Sequence, residues 1–165
     1  SFKDIEHHDQ TLIDRYNSRV KPNDIVYFLG DFGHPLEIAC RLNGSKRLIL
    51  GNHDDIHKMD KLCRVFESVR AWRLFGERDG FEHSTVFTHF PLHADECKFA
   101  VRRIQVHGHI HEKVIMSGNV PDPWFINVCV EHTNHAPMHF DDLRKIVSAR
   151  VMRLRAIGDI HVPRE

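Results

Sequence analysis

Apolar positions along the chain change rhythm several times, and each change marks an element. Between Asp9 and Val20 the apolar residues Leu12, Ile13, Tyr16 and Val20 fall on one stripe, with Asp14, Arg15 and Arg19 off it. That spacing predicts an amphipathic helix. After the turn residues Lys21-Pro22-Asn23-Asp24, the run Ile25-Val26-Tyr27-Phe28-Leu29 is unbroken and stops at Gly30-Asp31. A short continuous run of this kind predicts a strand buried on both faces. Residues 35–42 predict a short helix closed by Asn43-Gly44. Arg47-Leu48-Ile49-Leu50 predicts a second strand, ending at Gly51-Asn52-His53-Asp54, with a helix near 56–63 beyond it.

The second half is richer in strand signals. Val65 to Phe75 is β-like, and Thr85-Val86-Phe87-Thr88 runs into His89. Ile104-Gln105-Val106 runs into His107-Gly108-His109-Ile110-His111. Trp124 to Val130 reads as a late strand, and Asp141 opens a final helix over 142–148. Met152 to Ile157, where apolar residues alternate with Arg153 and Arg155, predicts a last short strand ending in Gly158-Asp159-Ile160-His161. Strands alternating with helices predict an α/β domain. At 165 residues the chain is long enough for one domain with a real core.

Composition narrows the function. Lys+Arg and Asp+Glu both number 23, so the net charge is zero with His neutral. No broad basic field exists for an extended nucleic acid. No apolar run approaches membrane-spanning length, and the opening SFKDIEHHDQ has no signal-like apolar core, so a cytoplasmic protein is expected. Cys40, Cys63, Cys97 and Cys129 form no C-x-x-C pair, and buried free thiols are expected of them. Histidine is the outlier: 15 residues, where roughly three or four would be ordinary. Histidine is the commonest metal ligand and the usual proton carrier near neutral pH.

The chemistry-bearing residues gather where strands stop: Gly30-Asp31, Gly51-Asn52-His53-Asp54, Thr88-His89 and Gly108-His109-Ile110-His111. In open α/β sheets ligands bind beyond the carboxyl ends of strands. A glycine beside each motif allows close backbone approach. Oxygen and imidazole donors suit Mn, Fe, Zn, Co or Ni better than a thiolate-seeking ion. His107 should point away from its neighbours in a strand and is not expected to ligate. His7, His8, His132, His135 and His139 are expected at the surface or rim.

The order GD…GNHD…H…GHxH, over residues 25–130, resembles the calcineurin-like metallophosphoesterase superfamily, in its small single-domain bacterial and phage form. The resemblance implies a two-sheet α/β sandwich flanked by helices, holding two divalent ions, in the first instance Mn²⁺. It implies hydrolysis of a small phosphodiester or phosphomonoester, such as a nucleotide, by in-line attack of metal-activated hydroxide. Carried over residue by residue, Asp31 would bridge the ions. Asn52, His89 and His109 would complete one position; Asp159, His161 and His111 the other. His53 would be the catalytic acid or transition-state stabiliser, and His34 a substrate contact. Family members begin with a strand ending in D-x-H; here Asp55-Ile56-His57 follows a motif already used and no strand precedes it, so the copy after a strand-like run is Asp159-Ile160-His161, near the C-terminus. A circular permutation is therefore expected, with 151–161 standing in for the first strand of a single domain over 1–165. The phosphatase form GDxxDRG is absent, since Gly30-Asp31-Phe32-Gly33-His34 stands in its place; phosphoprotein specificity is not expected. The alternatives are a nuclease acting on DNA or RNA ends, and a catalytically silent metal-binding scaffold.

Overall fold

A computed structural model describes residues 3–33, 36–98 and 103–160 of the chain. The protein is mixed α/β. A parallel sheet is formed by β1 (Ile25–Phe28), β2 (Ser45–Ile49) and β3 (Ser68–Arg70), in that order. A second sheet orders β4 (Trp72–Phe75), β5 (Thr85–Thr88), β6 (Ile104–His107) and a late strand, Phe125–Asn127. Two short strands precede that last one, β7 (Met116–Ser117) and β8 (Val120–Pro121), and pair as a hairpin, so Phe125–Asn127 is β9. In the second sheet β4 is antiparallel to β5, while β5, β6 and β9 run parallel.

Period-two alternation decides how the first sheet is covered. Val26 and Phe28 turn to the helix α1 (Ile5–Arg19), against Ile13, Tyr16 and Val20. Leu48 packs with Leu62 of α2 (Met59–Val65) and with Phe66. Tyr27, Leu29 and Ile49 face the other way, into the main core shared with Phe75, Phe87, Val106 and Ile126 of the second sheet. α1 starts earlier than its stripe suggested, because the Asp4 side chain accepts from the His7 N–H at 2.7 Å and caps the first turn. A short helix, α3 (Ala94–Lys98), follows β5.

Three expectations need correction. β1 is covered on both faces but, among the described residues, lies at the edge of its sheet, and Ile25 is 52% exposed. Of the cysteines, Cys40 and Cys63 are exposed rather than buried, although all four are free. The largest difference is at the C-terminus. The expected helix over 142–148 is α4 (Phe140–Ala156), which runs through the segment expected to be a strand. Leu143, Val147, Val151 and Leu154 recur at helical spacing and all face the core. Gly158 then stops the helix in the left-handed region, φ 79°. Its N–H donates to Arg155 O at 3.1 Å, and the Asp159 N–H to Leu154 O at 2.9 Å. This paired bonding of the last carbonyls is a glycine C-cap. Gly158-Asp159 is thus a helix stop, not the exit of a strand, and the described part of 151–161, up to Ile160, does not stand in for a first strand.

Among the described residues no helix is long and apolar enough to cross a membrane.

The helical register has a direct test. In a strand, Met152 and Leu154 would share a face; in α4 Met152 is 61% exposed and Leu154 fully buried. Leu154→Ala should cost about 2–5 kcal/mol in chemical denaturation, whereas Met152→Ala should stay within about 0.5 kcal/mol of native. Equal losses at both positions would contradict the helix.

A candidate metal centre at the strand ends

The loops after β1, β2, β5 and β6 meet at one place. Asp31 follows β1, Asn52 follows β2, His89 follows β5 and His109 follows β6. The metal-ligating atoms of Asp31, His89 and His109 all lie within 4.8 Å of one another. His89 is 2% exposed. Its Nδ1 lies 2.7 Å from the Leu29 carbonyl oxygen and donates to it. In the neutral ring that leaves the Nε2 lone pair aimed at Asp31 Oδ2, 3.2 Å away, and at Asn52 Oδ1, 2.9 Å away. Three acceptors converging without a proton between them is an arrangement a cation resolves. The His109 ring sits beside this point, 4.9 Å from His89 and 4.7 Å from Phe90 between centroids.

Two glycines make the approach possible. A Cβ on Gly30 would meet the His89 ring and lie 2.7 Å from Gly51 Cα; a Cβ on Gly51 would collide with the Asp31 carboxylate. No other residue fits where these two loops cross. Strain is concentrated here as well. Asp31, His109 and His111 have φ of 53°, 68° and 52°, three of the five non-glycine residues in the left-handed region among those described. Each such conformation costs on the order of 1–3 kcal/mol, and persists where surrounding contacts over-determine it.

Those contacts come from the last residue of the Gly51-Asn52-His53-Asp54 motif, for which no role was expected. Asp54 is buried, and its carboxylate accepts three backbone N–H groups: Asp31 at 3.0 Å, Phe32 at 3.0 Å and Gly51 at 2.8 Å. One carboxylate thereby ties the loop after β1 to the loop after β2. The Asp31 Oδ1 returns the link by accepting from the His53 N–H at 2.8 Å. The available sequence signal was an acid two residues after Asn52, beside a glycine turn that needed its donors satisfied.

The remaining predicted site residues fall out as follows. His53 is exposed at the mouth. His111 is exposed, and its Nδ1 lies 2.9 Å from Glu131 Oε1. Glu131 raises the His111 imidazolium above its ordinary range, aided by Glu112 and Asp31, and is itself held low by His111. His107 points into the core; burial pushes its pKa down, and its Nδ1 bonds the Gly108 carbonyl at 2.9 Å. His132, expected only at the rim, lies with its Nε2 3.0 Å from the His111 carbonyl.

Asp159 is not brought to this centre. Its Oδ2 accepts from Trp124 Nε1 at 3.4 Å, and Trp124 directly precedes β9. Because β9 runs parallel to β6, that is the opposite end of the sheet from His109. The pairing of Asp159 with His161 as ligands is therefore corrected; His161, like His34, lies outside the described residues. A cleft of about 590 Å³ between Tyr27, Phe75, Phe140 and Arg144 opens at the start of β1 and is lined by none of these ligands.

Comparison with known proteins places the chain in a lineage. The chain is 32% identical over 148 aligned residues to the Gene 66 protein of Mycobacterium phage L5, covering 71% of this chain and 70% of that one. It belongs to the Gene 66 protein family. The Gene 66 protein of Mycobacterium phage D29 is 31% identical over 168 residues, covering 86% and 83% of the two chains. The uncharacterized protein MJ1445 of Methanocaldococcus jannaschii is 29% identical over 166 residues, covering 96% and 85%. No family model matches the chain. Among solved structures, the protein of unknown function AQ665 from Aquifex aeolicus superposes with a TM-score of 0.66 at 21% identity, over 88% of this chain and 87% of that one. That likeness is one of fold. A Gene 66 family chain thus carries a convergent Asp/Asn/His/His cluster at its strand ends, and function must be argued from the cluster.

The Asp54 clamp is directly testable. Asp54→Ala strips three partly buried N–H groups of their acceptor, and should cost about 3 kcal/mol in urea unfolding. Asp54→Asn keeps the shape and one acceptor oxygen, and should fall between the two. An alanine variant as stable as native would show that the clamp does not hold the loops.

Proposed function

We propose that the protein is a metal-dependent phosphoesterase of the calcineurin-like kind, hydrolysing a compact phosphodiester or phosphomonoester. The observation that carries the reading is the convergence of Asp31, Asn52, His89 and His109 on one point, in strained loops at parallel strand ends. One carboxylate, one amide oxygen and two imidazoles suit Mn²⁺, and equally Fe, Zn, Co or Ni. The two sheets sharing one core, with α1 and α2 outside the first, agree with the sandwich the motif order implies.

Asp31, Asn52, His89 and His109 would hold one ion; Asp31 and His111 would contribute to a second. Bound divalent ions would supply Lewis acidity at a phosphoryl oxygen and lower the pKa of water. The other steps belong to the chain. The Asp54 clamp fixes the Asp31 backbone, and the His53 N–H holds the Asp31 Oδ1, before any ion arrives, so little reorganisation accompanies binding. The His53 backbone N–H is anchored on Asp31 while its ring stays exposed, which suits transfer of a proton to the departing alkoxide. Among the described residues no carboxylate partners the His53 ring, in keeping with the missing GDxxDRG acid. Exposed Asn52, His53 and His109 leave the site shallow, which suits a small ester.

The test is Mn²⁺-dependent hydrolysis of bis(4-nitrophenyl) phosphate, with metal content measured on the same samples. Native protein should turn over; His109→Ala should lose bound metal and activity together. His53→Gln should retain metal and lose about 10²–10⁴ in kcat. Asp159→Asn should behave as native. An inert native protein that still binds Mn²⁺ tightly would favour the scaffold reading, and one that binds no divalent ion would remove the proposal altogether.

A further inference from the structure

The loop after β6 is held by the end of β9 and the segment that follows it through two separate devices, and only one of them concerns the backbone. Asn127 Nδ2 donates to the carbonyl oxygens of His111 at 2.7 Å and Lys113 at 2.9 Å, and His132 Nε2 lies 3.0 Å from the same His111 carbonyl. The Asn127 side chain is itself fixed, since its Oδ1 accepts from the Cys129 N–H at 2.9 Å. These contacts keep His111 at a φ of 52°, a backbone conformation that costs energy for any residue with a Cβ. The second device acts on the ring. Glu131, in the turn Val130–His132 that follows β9, brings Oε1 to 2.9 Å from His111 Nδ1.

Loop stability explains the first device but not the second. The side chain of His111 is 74% exposed, so its ring contributes little burial and needs no partner to be satisfied. Fixing an exposed ring costs side-chain entropy, and exposed pairs return little in stability. What the contact does change is which nitrogen carries the proton. With Nδ1–H donating to a carboxylate, the lone pair resides on Nε2, and the ring becomes a better donor to a cation. A carboxylate on the far nitrogen is the usual means by which a ligating histidine is held in one tautomer and orientation.

We propose that Glu131 is the positioning residue of His111: its carboxylate fixes the Nδ1–H tautomer and presents Nε2 to the second divalent cation, the one that shares Asp31. The inference rests on the metal-centre reading above. It assigns a task to a glutamate outside every motif of the sequence, twenty residues beyond His111 and brought to it by the pairing of β6 with β9.

Two readouts separate this role from a structural one. Long-range ¹H–¹⁵N correlation spectra report the tautomer of His111 directly. The Nδ1–H form should dominate in native protein and in Glu131→Gln, whose side-chain oxygen can still accept. In Glu131→Ala the Nε2–H form, which free imidazole prefers, should take over. Calorimetric titration with Zn²⁺ reports the ions. The first equivalent should bind alike in native and Glu131→Ala and be lost in His109→Ala. The second, marked by a shift of His111 Nε2, should weaken about 10–100-fold in Glu131→Ala and recover in large part in Glu131→Gln. An unchanged tautomer in folded Glu131→Ala, or a second ion bound as tightly as in native, overturns the proposal. So does uptake of Zn²⁺ that never touches His111 Nε2. Failure of the underlying reading looks different: native protein would then bind no ion, or His109→Ala would bind as native does, whatever tautomer His111 adopts.

Discussion

The Asp54 carboxylate is the contact on which the candidate site depends. Two loops cross at Gly30 and Gly51 so closely that a methyl group at either would collide with the other loop or with a ligand side chain. Backbone packed that tightly takes N–H groups out of the sheet and partly out of solvent, and such donors must be answered. Asp54 answers three of them from a buried position. Because charge-assisted hydrogen bonds are stronger than neutral ones, one side chain can offset a left-handed Asp31 and still leave the loops joined. The ligand geometry is therefore set by backbone already fixed to the first sheet, and does not wait on a bound ion.

The same logic extends across to the second sheet. His89 reaches from the end of β5 to the Leu29 carbonyl at the end of β1, and so bonds one sheet to the other while keeping its Nε2 for the site. The Gly108 N–H donates to the His89 carbonyl at 3.1 Å, which brings the β6 loop alongside. A histidine that is 2% exposed is thus both a structural tie and a candidate ligand, and its replacement would disturb both roles. That is why exposed His109 and His53 separate metal binding from chemistry more cleanly than His89 does.

Much of this was legible in the chain because strand-end chemistry is written locally. The run Ile25–Leu29 is apolar without interruption, Thr85–Thr88 and Ile104–Val106 are short stretches rich in strand formers, and each hands over abruptly to Asp31, His89 or the histidines from 107 to 111. Local patterns fail where a short window fits two periods. Met152-Arg153-Leu154-Arg155-Ala156 alternates over five residues, which looks like a strand, but Leu154 also lies three residues after Val151, seven after Val147 and eleven after Leu143. Only the longer window distinguishes a 3.6-residue repeat from a two-residue one. Gly158-Asp159 then resembled a strand exit because a glycine helix stop and a strand-end turn use the same residue. Edge position is invisible for a different reason. The faces of β1 are covered by α1 and the second sheet, so its composition matches that of a central strand although one edge lacks a partner among the described residues. Asp54 and Glu131 escaped because their roles are defined by what they hold, and what they hold is distant in sequence or is backbone.

With Asp159 removed to the other end of the sheet, the two proposed cation positions are unequal. The position around His89 has four donors from four loops, of which Asp31 and His89 are anchored by hydrogen bonds and His109 by packing against His89 and Phe90. The position near His111 has, among the described residues, the shared Asp31 and one exposed imidazole. A site with few donors gains more from each being pre-oriented, since the entropy of ordering a free ring is a larger share of its binding free energy. A carboxylate that fixes His111 in advance therefore matters most at the weaker position. This asymmetry predicts ordered loading: the first ion should bind to a centre that the fold has already assembled, and the second should report any change made to Glu131.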